Sequence, residues 1–332
     1  MKNYLIKLLL ILSLGYSQRS ERNEIVYERH PNGLKKLVNI FEGTGKNKVL
    51  VGNHGFYENG LKSFIELYRN DKKHGKSIFW NQGGTKIIEG AYKMGMMDGF
   101  WTYYYENGNK MAEGSFFNGD GFNLDEDGIP KNGRVGLWTS WYGNEQMKGE
   151  RTFKDGKPDG LGTVWYENGQ KKSEGTWKDG DRVGLFTEWD KNGQKKEGGV
   201  YKNDVKIKNT IWTYYLDGQK ESERTYKDGE KDGLWIGWYE NGLKSKERTY
   251  KNGKEDGLWI EWNKDGQMME TNNYKNGYLD GLHTYWDENE ERNSEITYKN
   301  GKVDGLRTVW YENGQKYLEI TYKDDKPDGF YS

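Results

Sequence analysis

The chain contains no cysteine. That excludes disulfides, thiolate metal sites and a cysteine nucleophile. It also excludes a lipoprotein anchor, which needs a cysteine at the cleavage point. Charge of one sign is missing too: 51 basic residues face 52 acidic ones, for a net charge of −1. The basic footprint of a nucleic-acid binder is therefore absent, and no nucleic-acid partner is expected. Apolar residues are scarce, at 33%, and the mean hydropathy is −1.12. Such values ordinarily signal disorder. The four histidines, His30, His54, His74 and His283, lie in different segments without metal-site spacing. After residue 20 no stretch keeps a 3.6-residue apolar period, so no helix is expected, and none is apolar enough to cross a bilayer.

What is present is aromatic and periodic. Phe, Trp and Tyr make up 15% of the chain, and they recur at fixed positions. The fullest form of the recurring unit opens Gly233-Leu234-Trp235-Ile236-Gly237-Trp238-Tyr239-Glu240-Asn241-Gly242. The opening glycines Gly233, Gly257, Gly281, Gly305 and Gly329 are each 24 residues apart. A length of 332 residues would suggest two ordinary domains. The period overrules that count, because an array grows without a growing globular core.

Two aromatic columns fix the frame. One sits three residues before the first turn of each unit: Phe56, Trp80, Tyr104, Trp141, Trp165, Trp189, Tyr214, Trp238, Trp262, Trp286 and Trp310. The other sits just before the second turn: Tyr68, Tyr92, Phe116, Phe153, Trp177, Tyr201, Tyr226, Tyr250, Tyr274, Tyr298 and Tyr322. Asn-Gly or Asp-Gly marks the first turn, as at Asn59-Gly60, Asn168-Gly169 and Asn241-Gly242. Those pairs suit a type I′ hairpin. Lys-Asp/Asn-Gly marks the second turn, as at Lys178-Asp179-Gly180. About seven residues rich in Trp, Tyr, Thr and Val lie between turns, a strand's length and composition.

The pattern predicts an all-β fold: an elongated, twisted antiparallel meander of about eleven 24-residue hairpin repeats. Such a stack would extend roughly 100 Å. A parallel β-solenoid with one coil per repeat is the alternative. Alternation places Leu234, Ile236 and Trp238 on one face and Trp235, Gly237 and Tyr239 on the other.

Along the chain, residues 1–17 read as an export signal. Positive charge at Met1-Lys2 and Lys7 precedes an apolar run, Leu8 to Leu14. Small residues then allow cleavage near Ser17/Gln18, giving a periplasmic or extracellular protein. Residues 18–50 read as a divergent capping repeat, and 51–332 as the array. An insertion at about 118–133 interrupts it.

These residues resemble the MORN repeat. Gly90-Ala91-Tyr92-Lys93-Met94-Gly95-Met96-Met97-Asp98-Gly99 fits its pattern of a glycine, an aromatic two residues on, and glycines three and seven residues later. The run from Gly175 to Gly184 fits likewise, and His74-Gly75 matches the frequent His-Gly of the family. Loss of the leading glycine, as at Arg224-Thr225-Tyr226, and the Trp-Tyr-x-Asn-Gly-Gln turn resemble the bacterial MORN-variant family. The resemblance implies a meander of β-hairpins used for protein–protein contact, with phospholipid contact in some eukaryotic members. It also implies the label antitoxin component of a toxin–antitoxin system, which an export signal opposes.

Carboxylates recur once per repeat, so they read as structure, and no hydrolytic site is found. The insertion is the one non-repetitive feature. Asn123, Asp125 and Asp127, followed by Gly128, imitate the start of an EF-hand-like calcium loop. The twelfth position falls on Arg134, where a glutamate is wanted. Calcium is thus the single cofactor to weigh against an acidic solvated loop. One sheet layer cannot bury both faces, so the column Trp141, Trp165, Trp189, Trp238, Trp262, Trp286 and Trp310 is the candidate binding surface. The expected function is a non-enzymatic exported scaffold that binds a protein partner through an aromatic, charged sheet face. Glycan or membrane headgroups, and the antitoxin role, are the alternatives.

Overall fold

The computed structural model describes residues 22–329. The signal reading of residues 1–17 lies outside them. The described residues form 26 strands and one short 3-10 turn, Gly45–Asn47. They fall into two compact units, Met1–Gly160 and Leu161–Ser332.

In the first unit the strands run from Arg22–Arg29 to Met147–Lys154. Each pairs antiparallel with the next in sequence. The second unit repeats that plan from Lys171–Lys178 to the two-residue strand Lys326–Pro327. Sequential antiparallel pairing is the expected meander and not a parallel solenoid. The divergent segment supplies the hairpin Arg22–Arg29 and Lys35–Glu42, and the 3-10 turn links it onward.

The turns depart from expectation. In the first turn the Tyr57 carbonyl accepts from Gly60 N (2.9 Å), and Tyr57 N donates to Leu61 O (2.8 Å). Gly60 has φ 83°, whereas Asn59 is not among the positive-φ residues. This is a longer loop ending in one left-handed glycine, not type I′. The type I′ geometry belongs to the second turn, where both central residues are left-handed: Asp179 and Gly180 at 51° and 104°, Asn252 and Gly253 at 48° and 79°. The dipeptide alone does not decide, because loop length sets which residue must have positive φ.

Side chains of the first turn then reach the next repeat. The Tyr239 hydroxyl donates to Trp262 O (2.8 Å), and Asn241 Nδ2 to Lys264 O (2.6 Å). Tyr57, Tyr105, Tyr166 and Tyr215 make the same hydroxyl bond one repeat on. His30 Nε2 stands in for it at Phe56 O. So the Tyr-x-Asn-Gly string both closes its own turn and fixes the neighbour's register.

The second turn is tied the same way. A bulge makes two residues, Arg224 and Tyr226, span Trp235 back to Lys231 on the partner strand. Gly233, with φ 99°, occupies the bulge. The carboxylate of the adjacent Asp232 accepts from Asn252 N in the next repeat (3.2 Å). Asp256 and Asp280 do likewise, and in the earlier copy His74 Nδ1 accepts from Met94 N. The recurring Asp-Gly and His-Gly pairs thus bond between repeats.

Candidate functional site

The strand pairs bring the second aromatic column against a third row: Trp101, Trp138, Phe186, Trp235, Trp259 and His283. Each lies two residues after an opening glycine. In the first unit Trp101 meets Tyr92 edge-on at 5.1 Å, and Phe116 meets Trp138 at 4.9 Å. In the second, Tyr226, Trp235, Tyr250, Trp259 and Tyr274 follow one another at centroid spacings of 5.2, 5.0, 5.9 and 4.4 Å. The indole N–H bonds back across the bulge: Trp101 to Ala91 O, Trp138 to Ser115 O, Trp235 to Thr225 O and Trp259 to Thr249 O. Sequence reasoning missed this row as a ladder. The Gly-Leu-Trp opening was its signal, but only cross-strand register shows what the tryptophan meets.

Register also explains why the leading glycine comes and goes. Gly90 lies under Trp101, Gly114 under Trp138 and Gly175 under Phe186, so close that a Cβ would sit 2.1–2.5 Å from the ring. In the copies that carry Tyr226 and Tyr250 an arginine occupies the same place. Arg224 and Arg248 lie opposite Trp235 and Trp259, with guanidinium carbons 5.7 and 4.2 Å from the ring centres. Two solutions fill one position: no side chain beneath the ring, or a flat cation against it.

The two units cover this ladder differently. In the first, Trp101, Phe116 and Trp138 are at most 5% exposed, and Ile129 from the insertion joins their cluster. Arg134 lies over Trp138 and Phe153. In the second, no loop of that length intervenes; Tyr250 is buried, while Tyr226, Trp235, Trp259 and Tyr274 are half-buried. Lys231 stands 4.7 Å from the Trp235 ring and 4.8 Å from that of Tyr250.

The sequence-predicted column lies elsewhere. Trp141, Trp165, Trp189, Trp238, Trp262, Trp286 and Trp310 are all half-buried at strand ends. Lys110, Lys171, Lys220 and Lys244 roof Trp141, Trp189, Trp238 and Trp262 at 4.8–5.7 Å. Each of those lysines also pairs with the glutamate three residues on. Such exposed pairs contribute little stability, but they occupy the indole faces.

The calcium-like loop is held by side chains of the protein. Asp125 accepts from Asp127 N and Ile129 N, and its other oxygen takes Arg134 Nη2 at 2.5 Å. Asp127 pairs with Lys148 through both oxygens, and Asn123 Nδ2 donates to Asn132. Arg134 also donates to Pro130 O and Ile129 O, so its guanidinium holds the loop together as a cation would. Among the described residues, no group of three or more His, Asp or Glu has metal-holding geometry.

His283 takes the indole's place in the last aromatic pairing of the row. Its Nε2 lies 2.9 Å from Glu270 Oε1 and so carries the hydrogen, leaving Nδ1 buried without a partner. A second proton would be an unpaired buried donor. Burial accordingly holds the imidazole below its ordinary 6.5, against the opposing pull of Glu270. Tyr285 beside it is pushed up to about 12, by burial first and the Glu270 carboxylate second. The unfolded chain therefore takes up a proton at His283 before the folded chain does. Its contribution to stability is full above about pH 6.5 and is lost as pH falls towards the lowered folded value. We expect the melting temperature to fall between about pH 7.5 and about pH 5, and His283→Gln to flatten that fall. A His283→Gln profile parallel to wild type would contradict this.

Comparison with known proteins bears on the repeat itself. No curated protein matches the chain. Similar solved structures include the Tc holotoxin pore of Photorhabdus luminescens, at 11% identity and TM-score 0.21, over 93% of this chain and 17% of that one. A TcdB2–TccC3–Cdc42 crystal structure is similar at 10% identity and TM-score 0.20, over 92% of this chain and 19% of that one. The chain thus spans under a fifth of either, and nothing about partners follows. The MORN repeat variant pattern matches residues 97–118, 134–155, 158–179, 231–252, 255–276, 279–300 and 303–324. With turns, bulges and ring ladders repeating in step with those matches, the chain belongs to the MORN repeat variant family.

Proposed function

We propose that the protein is a non-enzymatic scaffold that binds a protein partner through the ladder face of its Leu161–Ser332 unit. The observation that carries this reading is the stretch from Tyr226 to Tyr274, where Tyr226, Trp235, Trp259 and Tyr274 are half-buried on either side of the buried Tyr250. In the first unit the insertion covers the same ladder, whereas here four of the five rings are half-buried, with Arg224 and Lys231 beside them. Rigid aromatics interleaved with arginine are what the centres of protein interfaces favour. On this reading the contact lies on the face opposite the Trp189, Trp238 and Trp262 indoles of the same unit, each of which has a lysine over it. The N-terminal pattern supports a place of work outside the cytoplasm, where we would look for the partner.

The test compares three immobilised full-length proteins against envelope extracts: wild type, Trp259→Ala on the ladder face, and Lys171→Glu on the column face. A partner retained by wild type and Lys171→Glu but lost by Trp259→Ala is the expected result. Retention indifferent to Trp259 would overturn the reading.

A further inference from the structure

The second unit holds a notch of about 270 Å³ lined by the ladder residues Trp235 and Tyr250 and by Gly237. Arg224, Lys231, Lys246 and Arg248 line it, with a single carboxylate, Glu221, among the lining residues. Residue 237 contributes no side chain to it, and the stem of Lys246 lies across that position. The four cations are unequally matched. Arg248 is held by Glu261 at 2.5 Å. Among the described residues, Arg224, Lys231 and Lys246 have no anionic partner; Arg224 lies against the Trp235 ring and Lys231 against those of Trp235 and Tyr250.

The neighbouring repeat shows what is missing. Arg248, Trp259 and Glu261 stand 24 residues after Arg224, Trp235 and Gly237. The registers are the same: Arg248 opposite Trp259 with Lys246 opposite Glu261, and Arg224 opposite Trp235 with Ser222 opposite Gly237. In the later copy the glutamate carboxylate reaches the arginine of the preceding strand. In the earlier copy that arginine is present and the carboxylate is not. A second acid is absent as well: Lys231 occupies the place that Glu255 has one repeat on.

Resting on the partner-binding reading above, we propose that the Gly237 notch receives an acidic side chain of the partner protein. The partner's glutamate or aspartate takes the place that Glu261 fills from within. A charge-assisted bond to guanidinium is among the stronger polar contacts. The occupant in the sister repeat is itself a carboxylate on a peptide side chain, so a polypeptide is the source to which we commit.

The decisive variant fills the notch from inside. Gly237 has no positive φ. The atoms nearest an added Cβ are Ser245 Oγ at 3.0 Å and the flexible Lys246 stem at 3.1 Å. Gly237→Glu should therefore fold, with a melting temperature no lower than wild type, and its carboxylate should pair with Arg224. The probe is a fluorescent glutamate oligopeptide, titrated onto the full chain at low salt, beside a glutamine oligopeptide and a galacturonate oligomer of matching charge. We expect the glutamate peptide to bind wild type, and Gly237→Glu and Arg224→Gln each to weaken it at least about tenfold. The glutamine peptide should not bind. No binding of the glutamate peptide, equal binding by Gly237→Glu, or tighter binding of the galacturonate would overturn the proposal. If a captured partner is lost with Trp259→Ala but kept with Gly237→Glu, the notch fails and the ladder reading stands. If neither variant loses it, the ladder reading fails.

Discussion

Replacing Trp101 by alanine should cost the protein about 3–5 kcal/mol, the range for emptying a fully buried large aromatic site. Trp101 is 2% exposed. Its ring is bounded by Tyr92, Tyr103 and Phe116, and its Nε1–H holds the Ala91 carbonyl. Truncation leaves a void that a pleated backbone cannot close, and strands the carbonyl as well. Against a total stability of about 5–15 kcal/mol for an ordinary domain, that is a large fraction. Urea unfolding followed by circular dichroism reads it as a lower midpoint. Trp259→Ala supplies the internal comparison. It is half-buried, so it should cost clearly less. Equal losses for the two would mean that the insertion does not seal the first unit's ladder.

Gly114→Ala is the second large effect, and it acts by adding a single methyl. That Cβ would stand 2.3 Å from Cδ2 of Trp138, whose ring is rigid and tied by Nε1 to Ser115 O. The strand or the indole must move, and overpacking of this kind costs about 1–3 kcal/mol, occasionally more. Gly143→Ala is the control, since nothing lies within 4 Å of its Cβ and its φ is not positive. It should stay within about 0.5 kcal/mol of wild type. The double variant Gly114→Ala/Trp138→Ala should cost less than the sum of its parts, because removing the indole removes the collision. Strict additivity would show that the glycine is there for some reason other than the ring above it.

The architecture was legible in the sequence because the period is long, regular and aromatic. The columns, the lack of any α-helix among the described residues and the two hairpins per repeat all follow from spacing. The turn geometry was not. Asn-Gly is compatible with either loop, and the left-handed asparagine of Asn252-Gly253 and the ordinary one of Asn59-Gly60 look alike in one dimension. The candidate site was half legible. Trp238 and Trp235 fall on opposite faces by simple alternation. Which face carries stacked rings depends on bulges at Gly233 and its equivalents, which shift register without leaving a mark in composition. Nor does the string Asn123-Leu124-Asp125-Glu126-Asp127 reveal that Arg134 will occupy its centre. That pairing becomes visible only when the chain turns back on itself and sets Arg134 opposite Phe116.

The bonds that run from each turn to the next copy have an evolutionary corollary. Tyr239 reaches Trp262 and Asp232 reaches Asn252, and both partners belong to the following unit. A duplication or deletion of one whole period therefore recreates every such bond at the new junction. Offspring of unequal crossing-over can stay foldable while their reach changes by two strand spacings, about 10 Å. A deletion of any other length would leave tyrosines and aspartates facing the wrong carbonyls and amides. The single extra residue between Tyr201 and Tyr226 is a frame error of that kind that the protein has absorbed. It falls within the sheet immediately before the copy whose arginine has lost its acid.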